Sequence, residues 1–335
     1  MPPRGSRALS ARSLVMTSGN LRIERSIQDQ LVRFPVSSRG LAYEVTQLGA
    51  GRVLQRRMIA SMENFTAIVG GFTVGLRSRG VFSNDHLTVI APFGPAERMR
   101  FWSRDVPPGG LFFCPPGAEH DTAYFGPASY AGLSLKPSEF ASILGGEPQL
   151  GDPGFWNVRQ WVQPGPGVGA IAERRLADLL SCLDAAQATL SPEAADFWKR
   201  SIVEIFAAPL LHALPPVREN PVRSYPGLVR EVERYLDERA ARPVHISEIC
   251  SALDVSRRAL HRAFDDVLGI GPVAFFRRKR LHAAFSALQQ ASSPDASVTA
   301  IAMEHGFTEL GHFSQAYRAL FGETPSQTLH RRPQG

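Results

Sequence analysis

Arg257, Arg258, His261 and Arg262 fall within six consecutive residues. On a helix that begins after Ser256 they share an outer face, opposite Leu260, Ala263 and Phe264. Three guanidinium groups and an imidazole placed this way can pair with phosphates and donate to guanine edges in a major groove. An ordinary solvated helix carries the same residue types, so this face alone decides nothing. Arg277, Arg278, Lys279 and Arg280 form the densest basic run of the chain. Part of that run reads as a solvated face; some of it could lie near phosphates if modules on either side sit on one duplex.

Other chemistry is thinly represented. No P-loop, Rossmann fingerprint or nucleophile elbow occurs. Cys114, Cys182 and Cys250 are scattered and form no C-x-x-C pair, so a disulfide framework and a cysteine zinc site are both unsupported, and a reducing cytoplasm is expected. A metal-dependent β-barrel enzyme would need two or three His and a carboxylate converging on one ion. The β-rich part of the chain has only His86 and His120, with no H-x-H pair. Glu119-His120-Asp121 follows the turn Pro115-Pro116-Gly117 and reads as a surface loop. Gly70-Gly71 and Gly109-Gly110 read as turn glycines. A small-molecule pocket would be mostly apolar with a few placed polar groups, for which Arg100, Trp102, Phe113, His120 and Tyr124 are the candidates. Each of these could equally be a core or surface residue.

The elements that must hold these residues divide the chain into unlike parts. A chain of 335 residues suggests two domains. With 44% hydrophobic and 20% charged residues it has material for real cores, which excludes global disorder. No apolar run reaches the roughly 18 residues of a membrane-spanning helix. The first 20 residues lack the apolar stretch of a secretory signal, and translation could begin at Met1 or Met16.

Residues 1–35 read as a tail and lead-in, and 36–160 as a β-rich domain. There the short apolar runs Phe65–Val69, Phe72–Leu76, His86–Ala91, Leu111–Cys114 and Tyr130–Leu135 alternate with Gly/Pro-rich turns, as in a sandwich, barrel or jelly roll. Residues 161–214 read as two amphipathic helices, one carrying Ile171, Leu176, Leu179, Leu180 and Leu183. The other is opened by Ser191-Pro192 and carries Phe197, Ile202, Ile205, Phe206, Leu210 and Leu211. They suit either a cover for the β domain or a dimer seam. The proline-rich stretch 215–226 reads as a linker, and 227–333 as all α-helix.

Within that last part a buried skeleton occurs twice. Ile249-Cys250 and Val255 are matched 52 residues later by Ile301-Ala302 and Phe307. Leu260, Phe264, Leu268, Gly269 and Pro272 are matched 53 residues later by Phe313, Tyr317, Phe321, Gly322 and Pro325. Two helix-turn-helix units follow, near 246–266 and 298–321, with one extra residue in the second turn. The exposed positions do not repeat. Between the units, 273–290 suits a long connecting helix. Net charge does not carry this reading. The whole chain is +6, and residues 242–332 hold 11 basic and 8 acidic residues, only +3. Placement of the arginines carries it.

The stretch from Leu228 to Arg332 closely resembles the DNA-binding domain of AraC/XylS-type transcriptional regulators. Ile249-Cys250, Leu253, Val255-Ser256, Leu260, Phe264, Gly269, Arg280-Leu281 and Ala284 carry the likeness in the first half and middle. Ile301-Ala302, Gly306-Phe307, Phe313, Tyr317, Phe321-Gly322 and Thr324-Pro325-Ser326 carry it in the second half. The resemblance implies an α+β chain of two domains: an N-terminal cupin-like or jelly-roll sensor with a helical dimerisation segment, then an all-α double helix-turn-helix. It implies a sequence-specific DNA-binding regulator, ligand-responsive and dimeric, that inserts two recognition helices into adjacent major grooves and meets RNA polymerase if it activates. In the first unit it assigns base reading to Arg258, His261 and Arg262 and a place near the phosphate backbone to Ser256, and the outer-face pattern adds Arg257 to the DNA-contacting set. In the second it assigns Leu310, Gly311, Ser314 and Gln315; because Leu310-Gly311 offers little hydrogen bonding, contact there is expected to rest on Ser314, Gln315 and His312, with backbone contacts from Arg318. No cofactor, metal or membrane partner is implied, and no catalysis. The alternatives are a metal-dependent cupin-type enzyme with an appended helical domain, and a nonspecific DNA-binding protein.

Overall fold

Side-chain alternation in short strands builds the N-terminal half, and 3.6-residue periodicity builds the rest. The computed structural model describes residues 21–28, 43–93, 98–101, 104–106, 110–144, 153–158, 161–162, 168–186, 190–213, 224–239, 242–291 and 296–330. Most of the proline-rich linker, Trp102 and the basic pair Arg331-Arg332 therefore lie outside the described residues.

The strands are β1 (Arg22–Gln28), β2 (Tyr43–Gln47), β3 (Gln55–Met62), β4 (Phe65–Phe72), β5 (Leu76–Val81), β6 (Leu87–Phe93), β7 (Met99–Phe101), β8 (Arg104–Val106), β9 (Leu111–Cys114), β10 (Glu119–Tyr124) and β11 (Ala128–Leu135). Helices α1 (Pro137–Leu144) and α2 (Pro153–Val158), strand β12 (Trp161–Val162), and the long helices α3 (Val168–Ala186) and α4 (Pro192–Ala213) complete the first half. Two antiparallel sheets result, ordered β1-β3-β4-β11-β6-β9-β12 and β2-β5-β10-β7-β8. One face of the larger sheet meets the smaller sheet through Phe72, Phe112, Tyr124 and Tyr130. Its other face puts Ala67, Val89, Phe113 and Leu133 into a core with Phe140, Trp156, Leu176, Leu180, Ile202 and Phe206 of the helices. The two long helices thus cover the sheet, although Ile171 points outward, 51% exposed.

Three readings of this half need correction. Phe72–Leu76 is not one strand: Phe72 ends β4, Leu76 starts β5, and residues 73–75 connect them. Gly70-Gly71 lies inside β4 rather than in a turn, paired with β3 and β11; a Cβ on Gly70 would come within 2.7 Å of the Tyr130 hydroxyl, so the strand takes glycine there. Glu119-His120-Asp121 is the start of β10 and not a surface loop. Its alternation is inverted relative to apolarity, with the polar His120 turned inward and 0% exposed.

The second half holds α5 (Tyr225–Asp237), α6 (Ile246–Leu253), α7 (Arg257–Leu268), α8 (Pro272–Gln290), α9 (Val298–Glu304), α10 (Leu310–Phe321) and α11 (Pro325–His330). Ile249, Cys250, Leu260, Phe264 and Phe276 pack one core, and Leu281, Ala284, Ala302, Phe313 and Tyr317 pack the other. Helix α8 contributes to both and ties the units together.

Candidate nucleic-acid interface and interior cavity

The repeated skeleton yields repeated backbone geometry. After α6 the Val255 N–H donates to the Cys250 carbonyl at 3.0 Å, and after α9 the Phe307 N–H donates to the Ala302 carbonyl at 2.9 Å. Gly269 and Gly322 end α7 and α10 at φ 64 and 76, and each donates its N–H to the carbonyl four residues back. These left-handed caps favour glycine. Proline then starts α8 and α11.

On α7 the buried side is Leu260, Ala263 and Phe264. Arg258, His261 and Arg262 are exposed together on the outer face. Ser256 caps the helix: its hydroxyl accepts from the Ala259 N–H at 3.1 Å. Arg257 departs from the group. It turns toward α4, where its guanidinium pairs with the Glu204 carboxylate, and only 19% of its side chain is exposed. On α10, Leu310, Gly311, His312, Gln315 and Arg318 are exposed and Ser314 is half-buried, above Phe313 and Tyr317. His312 pairs with the Glu309 carboxylate one turn back.

The basic run of α8 does not present four equivalent cations. Lys279 pairs with Asp237 of α5 at 2.5 Å. Arg280 lies between the rings of Phe197 and Phe307, 4.8 and 5.1 Å from their centroids, and donates to the Gly306 carbonyl at 2.9 Å. Burial, with the charge of Arg277 behind it, lowers its pKa to about 10. Arg280 is therefore a seam residue, and not part of a solvated face.

In the N-terminal domain, a cavity of about 100 Å³ sits between the sheets, lined by Phe72, Leu76, Phe82, Ile90, Tyr124 and Tyr130 among others. Of the five pocket candidates, Tyr124 lines it. His120 lies just behind the wall, stacked on Phe82 with centroids 3.6 Å apart and with Nε2 2.8 Å from the Ser78 hydroxyl. Burial depresses the His120 pKa to about 4 against the opposing pull of Gly80 and Asp121, so the ring is neutral near pH 7. Phe113 faces the other way, stacked on Trp156 at 5.0 Å. Arg100 lies at the surface, paired with Asp105 at 2.8 Å. Two groups escaped the sequence reading. Gln55 is 1% exposed and, among the described residues, neither its amide atoms nor the buried Tyr130 hydroxyl has a hydrogen-bond partner. Gln55 registers opposite the cavity-lining Phe72. A glutamine in a strand reads as solvent-facing, and no sequence signal marks it as interior.

Among the described residues, no group of three or more His, Cys, Asp or Glu could hold a metal ion. His86 and His120 serve separate neighbours, Asp85 and Ser78. No helix among the described residues is long and apolar enough to cross a membrane.

A helix-turn-helix domain family matches residues 249–331. An XylDLEGF operon transcriptional activator of Pseudomonas putida is 30% identical over 128 residues, which cover 38% of this chain and 81% of the relative. Another protein of that name and organism is 26% identical over 234 residues, 64% of this chain and 70% of the relative. A solved structure, a probable AraC family transcriptional regulator from Rhodopseudomonas palustris CGA009, is 41% identical, covering 32% of this chain and 98% of that one with a TM-score of 0.29.

Proposed function

The chain belongs to the AraC/XylS family of transcriptional regulators, and from that premise we propose how it reads DNA and what it responds to. It is a DNA-binding regulator and not an enzyme, as its relatives are. In the proposal, α7 and α10 enter successive major grooves on one face of a duplex, about 34 Å apart. Arg258, His261 and Arg262 read bases in the first groove, with Ser256 and Arg257 near the backbone. Leu310, Gly311, His312, Ser314, Gln315 and Arg318 meet the second groove, where the sparse donors of Leu310-Gly311 leave more of the contact to shape and phosphate. The observation that carries this reading is the exposed trio of α7 on a capped helix whose buried skeleton is repeated. The chain works in the cytoplasm as a homodimer and contacts RNA polymerase where it activates.

The interior cavity is the proposed effector site. Its walls are mostly apolar, and Tyr130 with Ser78, Thr88 and Thr122 supplies polar groups for a small, largely apolar molecule.

The deciding experiment selects sites for the full chain from random duplexes and then titrates Arg262→Ala on the selected site. The variant loses about 1–3 kcal/mol of specific binding and relaxes one base position. Unchanged affinity at fixed salt would overturn the assignment. Equal affinity for selected and random duplexes would favour nonspecific binding.

A further inference from the structure

Glu204, on α4 of the N-terminal half, holds two groups of the DNA-binding half. Its carboxylate accepts from His245 Nε2 at 2.7 Å and pairs with the Arg257 guanidinium. His245 is the N-cap of α6: its Nδ1 accepts from the Ser247 N–H at 3.3 Å, which leaves Nε2–H to donate the hydrogen bond to Glu204. Burial alone would raise the Glu204 pKa, but the bond from His245 and the charge of Arg257 outweigh it and hold the group down to about 2. The carboxylate is thus a persistent anion. Arg200, one turn earlier on α4, donates to the Ser247 hydroxyl at 3.3 Å, and Ser251 of α6 donates to the Ser142 carbonyl of α1 at 2.7 Å.

Arg257 is the first residue of the helix whose outer face carries Arg258, His261 and Arg262. Those three are exposed and Arg257 is withheld. We propose that Glu204 occupies the place of a DNA phosphate: it latches Arg257 to the N-terminal half, and DNA binding or a shift of α4 exchanges the carboxylate for the duplex backbone. The exchange is one anion for another on the same guanidinium, so the competition is direct. It also has a route to the cavity. Strands β6 and β11 line the cavity with Ile90 and Tyr130, and their alternate residues Val89 and Leu133 lie in the core that contains Ile202 and Phe206 of α4. The latch rests on the reading that α7 enters a groove, and it adds to that reading a regulated contact.

The test uses the full chain and its selected duplex, with affinity measured across a salt series. Glu204→Gln removes the charge and keeps the shape. It is expected to bind about five-fold tighter or more, with a salt slope steeper by about one phosphate contact. Arg257→Gln alone loses latch and phosphate contact together and changes affinity less than about three-fold. In the Glu204→Gln background it abolishes the gain. A Glu204→Gln chain that is folded and binds no tighter overturns the latch, as does a gain that survives in the double variant. Arg257→Gln keeps the idea exposed if Glu204→Gln does not fold, because a loss matching that of Arg262→Ala would place Arg257 on DNA without competition. The Arg262→Ala result reports the groove reading separately. A null Glu204 result beside an intact Arg262 effect therefore fails the latch alone.

Discussion

In the first helix-turn-helix unit the turn passes through Asp254 at φ 50 and closes on Ser256, whose hydroxyl caps α7. In the second it passes through Gly306 at φ 79 and arrives at Glu309, which makes no side-chain cap and pairs instead with His312. Gly306 has a reason to be glycine that Asp254 lacks. A Cβ there would lie 2.6 Å from both Arg280 Nη1 and the Phe197 ring. The interiors are interchangeable in kind and the surroundings are not. The second unit is pressed against α4, with Trp198 Nε1–H donating to the Met303 carbonyl at 3.2 Å and the Ser191 N–H donating to the Glu304 carboxylate at 3.1 Å. The first unit meets α4 through the Glu204–Arg257 ion pair and the hydrogen bonds Arg200–Ser247 and His245–Glu204. A duplicated core therefore constrains what is inside each copy and leaves both the outer face and the docking face free to diverge.

The equivalence of the cores can be broken most forcefully by truncation. Phe264→Ala and Tyr317→Ala, at matched positions that are both 0% exposed, should each cost about 3–5 kcal/mol of unfolding free energy by denaturant titration. A gap wider than about 2 kcal/mol between them would show that one unit does not stand on its own core. The turns come next. Gly306→Ala combines left-handed strain with displacement of Arg280 and Phe197, for a loss of about 2–4 kcal/mol. Asp254→Gly should instead be neutral or stabilising by up to about 1 kcal/mol, and equal responses would erase the distinction drawn here. On DNA, Gln315→Ala should cost less than about 1 kcal/mol against about 1–3 for Arg262→Ala; parity would make the two units equal readers. Among the core substitutions the smallest effect belongs to Tyr317→Phe. It breaks the 2.7 Å bond to the Thr328 hydroxyl, where the first unit has Phe264 and no such bond, and thermal unfolding should register about 0.5–1.5 kcal/mol.

The DNA-binding half was legible because its chemistry is local. Leu260, Phe264, Gly269 and their partners 53 residues on fix helix faces and ends through contacts a few residues apart, and periodicity reports such contacts directly. The opening of α4 was legible for the same reason: Ser191 accepts from the Ala194 N–H at 3.1 Å, and Pro192 follows. The sheets were less legible because their interior is partly polar. Gln55, Arg57, Thr88, His120 and Thr122 all face inward and are buried, which inverts the alternation that marks a strand. Arg257 and Arg280 misled for another reason. Their partners, Glu204 for Arg257 and Phe197, Gly306 and Phe307 for Arg280, all lie on other elements of the chain, and a charge on a helix looks solvated until its distant neighbour is known.

Trp198 makes the meeting of the two halves an optical event. Its indole is 3% exposed and spends its one donor on Met303, a residue of the other half. Any motion that parts the halves admits water to that ring and moves its fluorescence to longer wavelength. Trp156, 0% exposed in the core of the N-terminal half, stays dry through the same motion and serves as an internal reference. A red shift on adding duplex, lost in Trp198→Phe, would follow the separation in real time without any label.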